Sequence, residues 1–158
     1  MNTQDDRATV FPVAPVAFAA AAVIGSGLHA LWPLPWLGSP LSDLLLAIGA
    51  IGVLGGGWLA YSGISALRGA GTTVRPDRRS EHLVTGGVYG ISRNPIYLGL
   101  AVILASAGLL LGIAWLLVAA VAAAVATTQL AIMPEERHMA HRFGKRYRDY
   151  QKKVRRWI

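Results

Sequence analysis

The 158-residue sequence contains no cysteine, which excludes a disulfide framework and every zinc or redox site built on thiolates. Charge is scarce as well. Only 15% of residues are charged, and residues 95–133 carry no charge at all, where about a quarter is usual for a soluble domain. Hydrophobic residues make up 54%, and 18 glycines widen the apolar share further, against roughly 45–50% for ordinary domains with glycine counted in. A disordered chain is excluded, and a water-soluble globule is a poor fit. There is no P-loop lysine motif and no glycine fingerprint following a strand, so the common phosphate and dinucleotide cradles are missing. No Ser/His/Asp order stands out either.

What charge there is comes in blocks. The net charge is +7. Residues 1–67 hold Arg7 against Asp5, Asp6 and Asp43; residues 68–94 hold five arginines against Asp77 and Glu81; residues 134–158 hold nine basic residues against Glu135, Glu136 and Asp149. Basic blocks separated by long apolar runs are the pattern of a membrane protein with its positive segments in the cytoplasm, and they do not suit a nucleic-acid-binding surface.

The first apolar run, Val13 to Leu31, would cover roughly 28 Å as a helix, close to a hydrocarbon core of about 30 Å. Asp5 and Asp6 precede it without a basic cluster, so the start of the chain is a poor signal peptide. Trp32, Pro33, Pro35, Trp36, Gly38 and Pro40 then read as a stiff turn with tryptophans at interface height. Leu44 to Leu67 is a second span. Ile96 to Met133 would reach about 57 Å as one straight helix, too long for one crossing. A turn at Leu109–Gly112 therefore divides it into Ile96–Leu111 and Ile113–Met133. Glycines at 52 and 56, and at 108 and 112, have the spacing that lets helix backbones approach closely.

Four spans put both termini on one side. Loops 32–43 and 111–112 contain no Lys or Arg, whereas the 68–94 loop and the tail are basic. The expectation is an all-α integral protein of the cytoplasmic membrane, with both termini and the 68–94 loop cytoplasmic. Residues 1–67 form two N-terminal helices, and 68–158 form the region where polar chemistry collects.

That loop is long for a connection, as functional loops are. It contains apolar anchors (Leu83, Val84, Val88, Tyr89, Ile91), glycines at 86, 87 and 90, and Pro95 at the start of the next helix. On composition alone it also suits a clamp for lipid headgroups. In the tail, Met139, Phe143, Tyr147, Tyr150, Val154 and Trp157 recur every three or four residues, as in an amphipathic helix with a basic face laid on an anionic leaflet. Glu135 and Glu136 open that helix, where the dipole favours acids; a pair of carboxylates there also suits a cationic or polyhydroxyl ligand. Glu135, His138 and His141 follow a Glu-x-x-His-x-x-His spacing, too loose for a metal motif, and no metal is expected.

Loop and tail together resemble the intramembrane methyltransferases, the superfamily of isoprenylcysteine carboxyl methyltransferases and phospholipid N-methyltransferases. The residues that carry the resemblance run from Leu83 through Arg93-Asn-Pro-Ile-Tyr97 to Gly99. A helical hairpin, Glu135-Glu136, Phe143-Gly144, Tyr147 and Tyr150 follow. The family pattern has Arg-His-Pro-x-Tyr where this chain has Arg-Asn-Pro-x-Tyr, so Asn94 replaces the usual histidine.

The resemblance implies methyl transfer from S-adenosylmethionine to a lipophilic acceptor, at a cytoplasmic site formed by the loop, the following helix and the C-terminal amphipathic helix. It implies cofactor contacts from Glu81, His82, Leu83, Val84, Tyr89, Asn94, Pro95, Ile96, Tyr97, Glu135 and Glu136, with Arg93 and Glu136 as the catalytic candidates. Isoprenylcysteine enzymes carry an arginine shortly before the Glu pair, suited to the substrate carboxylate. Here Thr127–Pro134 has no basic residue, which favours a lipid amine such as phosphatidylethanolamine. A prenylcysteine carboxylate and a non-catalytic lipid-binding anchor are the alternatives. The partners expected are the bilayer and a membrane lipid or lipidated substrate, with no nucleic acid.

Overall fold

A computed structural model of the chain describes residues 13–70 and 83–158. The described residues form helices and turns, with no strand among them. Four apolar helices come first: α1 (Val13–Leu31), α2 (Leu41–Gly69), α3 (Pro95–Leu111) and α4 (Ala114–Thr127). A π-helical turn, Thr128–Ile132, runs from α4 without a break into α5 (Met133–Phe143), and α6 (Lys145–Lys153) follows. Among the described residues, α1, α2 and the α4–α5 rod are three helices long and apolar enough to cross a membrane; α3 is a shorter apolar helix.

Local chemistry accounts for the helix limits. α2 carries Asp43 in its first turn, and the Ser39 hydroxyl donates to that carboxylate at 2.8 Å. Pro95 opens α3 at a position where a missing N–H costs little. Gly112 closes α3 in the left-handed conformation, φ 68°, with its N–H bonded to the Gly108 carbonyl. The expected break between the two helices is present but shorter than Leu109–Gly112: Leu109–Leu111 are the last residues of α3, and the turn is Gly112 and Ile113, with its polar backbone satisfied by the helix end. The Trp36 ring lies against Gly112, 3.2 Å from where a Cβ would stand.

In space the order of the helices is α2, α3, α4, α1: α2 packs on α3, α3 on α4, and α4 on α1. Phe18, Leu104, Leu116, Ala120 and Ala123 form the buried core between α1, α3 and α4. Between α2 and α3 the backbones nearly touch. A Cβ on Gly99 would lie 2.6 Å from the Gly56 carbonyl oxygen, and one on Gly56 2.8 Å from the Gly99 oxygen. Gly52 faces the Ser106 hydroxyl. Lipid tails are as apolar as leucine, so close packing of this kind, rather than exclusion from water, holds helices together in a bilayer. Gly52 and Gly56 serve the packing expected of them. Gly108 packs against Leu116, while Gly112 acts as a helix stop. Val23, Ile51 and Leu54 point outward, each more than 70% exposed, as lipid-facing residues must.

The π turn has a consequence for register. Buried positions along α4 and α5 fall at Leu116, Ala120, Ala123, Thr127, Ile132 and Glu136. The steps are three or four residues, except across the π turn, where the step is five. One extra residue in that turn keeps the buried stripe of α4 in line with Glu136 instead of rotating it away by about 100°.

The tail differs from the single helix expected. Gly144, φ 53°, separates α5 from α6. Tyr147, Tyr150 and Val154 are buried and pack with Leu83, Met139, Ala140 and Phe143. The apolar face read as a membrane-surface stripe is thus covered largely by the protein itself, and the cluster includes Leu83 from the loop.

Candidate active site

The loop after α2 and the helices after the π turn meet at one end of the bundle. Tyr89, in the short 3₁₀ turn Gly87–Gly90, is buried, and its carbonyl accepts a 2.6 Å hydrogen bond from the Tyr150 hydroxyl. Burial and then the charge of Glu135 raise the Tyr89 phenol far above its ordinary value. Burial likewise pushes Tyr147 and Tyr150 up to about 12, so all three are neutral donors at any physiological pH.

Ser92 is fully buried. Its hydroxyl accepts from the Asn94 backbone N–H at 3.1 Å and donates to the Arg156 carbonyl at 3.3 Å. The Asn94 side-chain amide donates to that same carbonyl at 3.0 Å, and the Arg93 N–H donates to the Arg155 carbonyl at 3.1 Å. Asn94, standing where the family has histidine, therefore spends its side chain on holding the C-terminal segment. Pro95 is buried, and Ile96 packs against Gly63 of α2.

The two glutamates separate, as adjacent helical residues must. Glu136 points inward. Arg156 grips it with two hydrogen bonds, Nε to Oε1 at 3.0 Å and Nη2 to Oε2 at 2.8 Å, and Arg93 Nη1 lies 3.2 Å from Oε1. This pairing raises the Arg156 guanidinium further above its ordinary value. Glu135 faces the other way and accepts one long bond, 3.4 Å, from the Tyr97 hydroxyl. It keeps a path to solvent.

The structure thus brings Arg93, Asn94, Tyr97, Tyr89, Glu135 and Glu136 to one place, with Leu83 in the adjoining tail cluster and Val84 half-buried beside it. Glu81 and His82 lie outside the described residues. Sequence reading missed Ser92 and Arg156. Ser92 carries no signal of its own, and Arg156 reads as one more charge in a basic tail. Both acquire meaning only from contacts across 20 residues or more. Among the described residues, the buried Nε and Nη1 of Arg93 and the hydroxyl of Thr127 have no hydrogen-bond partner, an arrangement that buried polar groups rarely tolerate without a role.

The family model of phospholipid methyltransferases matches residues 44–146, from the first turn of α2 into α6. No curated protein and no solved structure matches the chain. The matched region spans the Arg93–Tyr97 stretch, the α3–α4 hairpin and the glutamate pair, so the chain belongs to the phospholipid methyltransferase family of the intramembrane methyltransferase superfamily and is a membrane methyltransferase acting on lipids.

Proposed function

We propose that the protein transfers a methyl group from S-adenosylmethionine to a lipid amine, of which phosphatidylethanolamine is the type, at the cytoplasmic face of the membrane. The observation that carries this reading is the division of labour in the glutamate pair. Arginines occupy both oxygens of Glu136, while Glu135 is an accessible carboxylate held, among the described residues, by Tyr97 alone.

The residues present fit the cofactor. Its sulfonium and ammonium call for an acceptor such as Glu135, and its carboxylate calls for a donor such as the Nε–H of Arg93, which has no partner among the described residues. Tyr89, Tyr97 and the backbone at Asn94, Pro95 and Ile96 would form the rest of the wall, with Leu83 and Val84 as apolar cover. Glu81 and His82 are proposed as further contacts. Glu136 and Arg93 set the shape of the site. When bound, the cofactor would supply an electrophilic methyl, whose bond to sulfur breaks as the bond to the acceptor nitrogen forms; the sulfur departs uncharged and the acceptor's ammonium first gives its proton to water. The chain's own residues align the acceptor and exclude water, which is where most of the catalysis of a direct displacement lies. On this reading residues 1–67 act as scaffold and residues 68–158 carry the chemistry.

The acceptor class follows from the stretch before the glutamates. Thr127–Pro134 contains no basic residue for a substrate carboxylate. The Thr128 hydroxyl is already engaged, donating to the Ala124 carbonyl and accepting from the Trp157 indole. Phosphatidylethanolamine and a prenylcysteine analogue compared in mixed micelles with radiolabelled cofactor decide the point. Labelled phosphatidylethanolamine and little labelled prenylcysteine are expected. The reverse would overturn the amine assignment while leaving methyl transfer intact.

A further inference from the structure

Three parts of the site that lie far apart in the chain are joined by its last few residues. The carbonyls of Arg155 and Arg156 receive the Arg93 backbone N–H, the Ser92 hydroxyl and the Asn94 amide. The Arg156 side chain grips Glu136 of α5. The Trp157 indole donates to Thr128 in the π turn at 3.3 Å. Loop, π turn and glutamate pair are thus tied to one short segment, which follows the buried anchor Val154. The family match ends at residue 146, so this segment lies outside the matched region.

The contacts on Glu136 are not equivalent. Arg93 Nη1 approaches it at 3.2 Å, but that nitrogen has no hydrogen bond among the described residues. Both hydrogen bonds to the carboxylate come from Arg156 and are parallel, the fork geometry that guanidinium makes and ammonium cannot. Arg93 neutralises Glu136, and Arg156 orients it. Orientation of Glu136 fixes the rotation of α5, and Glu135, the preceding residue on the same helix, turns with it.

We propose that residues 154–158 form a positioning strap of the methyl-transfer site, with Arg156 as the positioning residue that sets Glu136, and through it Glu135, against the Arg93–Tyr97 stretch. The strap does no chemistry of its own. It makes the loop and α5 a single rigid unit, so that the reacting groups meet without a search. The proposal rests on the methyl-transfer reading above.

The test uses the full chain in detergent–lipid mixed micelles. Arg156→Ala is expected to lower the turnover rate on the order of a hundredfold, the scale that follows from displacing a site by about an ångström, with less than a threefold change in the KM of the lipid acceptor. Methylguanidine added to this variant should restore a substantial part of the rate, because a free guanidinium can refill the position opposite Glu136. Arg156→Lys, which keeps the charge but not the fork, should remain impaired.

Full activity in Arg156→Ala would overturn the proposal. So would a loss that methylguanidine does not relieve in a variant that elutes as a single species, since that outcome makes the contact merely structural. If Arg156→Ala does not purify as a single species, Arg156→Lys decides: impaired turnover supports the strap, and wild-type turnover overturns it. Wild-type protein that binds no S-adenosylmethionine would defeat the methyl-donor reading instead. The strap is then judged by hydrogen exchange at the Arg93 amide, where faster exchange in the variant supports it and unchanged exchange overturns it.

Discussion

Glu135 and Glu136 are chemically identical neighbours with opposite surroundings. The usual cost of removing one member of a buried ion pair is about 3–5 kcal/mol, because the partner charge is left stranded. Glu136→Ala strands two guanidiniums, so a loss of stability of roughly that size is expected in thermal unfolding. Glu135→Gln should leave the fold intact and weaken cofactor binding by about tenfold or more, the scale of one charge-assisted contact. Asp149→Ala, at a half-exposed carboxylate paired weakly with Lys152, should change neither. Calorimetry of S-adenosylmethionine binding to the wild type and to Glu135→Gln checks this, and equal affinities would sink the assignment of Glu135 to the cofactor's positive end.

Among the elements, the α2–α3 contact and the π turn do the most to place the site, because α3 begins with the Arg93–Tyr97 stretch and α5 follows the π turn. Gly99→Val would drive a side chain into the Gly56 carbonyl and Ala60 of α2. Overpacking of this kind costs roughly 1–3 kcal/mol, and here it also displaces the helix that carries Tyr97. Thermal unfolding in detergent should show a lowered midpoint and reduced cofactor binding. Gly55→Ala, where nothing lies within 4 Å, should be neutral. The glycine spacing at 52 and 56 was legible as a close-approach motif because a helix repeats every three to four residues. The π turn was not legible. Thr128-Gln-Leu-Ala-Ile132 has no composition that demands a wide turn; it is needed only because Glu136 must lie in line with Thr127. The break at Gly144 was equally hidden, since a regular apolar spacing from Met139 to Trp157 reads as one helix whether or not the chain bends within it.

For the molecule as a whole, the nine basic residues of the tail lie at the end where the candidate site is. We propose that this end faces the cytoplasm, since the opposite loops, 32–43 and 111–112, contain no Lys or Arg. Because the chain has no cysteine, single-cysteine labelling in right-side-out vesicles is free of background. Gly38→Cys should react with an impermeant maleimide from outside, and Lys152→Cys only after permeabilisation. Labelling of position 38 from the cytoplasmic side alone would reverse the orientation and, with it, the side from which the cofactor enters.

Composition and spacing determined the apolar helices and the break near Gly112, and the family resemblance pointed to the neighbourhood of the proposed site. These features answer to constraints that act along the chain: a bilayer thickness measured in residues, a charge rule counted by loop, and a motif read in order. Tertiary structure decided which carboxylate of the pair is open, that Asn94 is spent on the backbone of Arg156, and that Arg156 meets Glu136 at all. The reason is physical. A guanidinium at position 156 is one basic group among nine in the tail until folding brings it within 2.8 Å of Glu136, and the partner across that distance is set by the path of the chain between them.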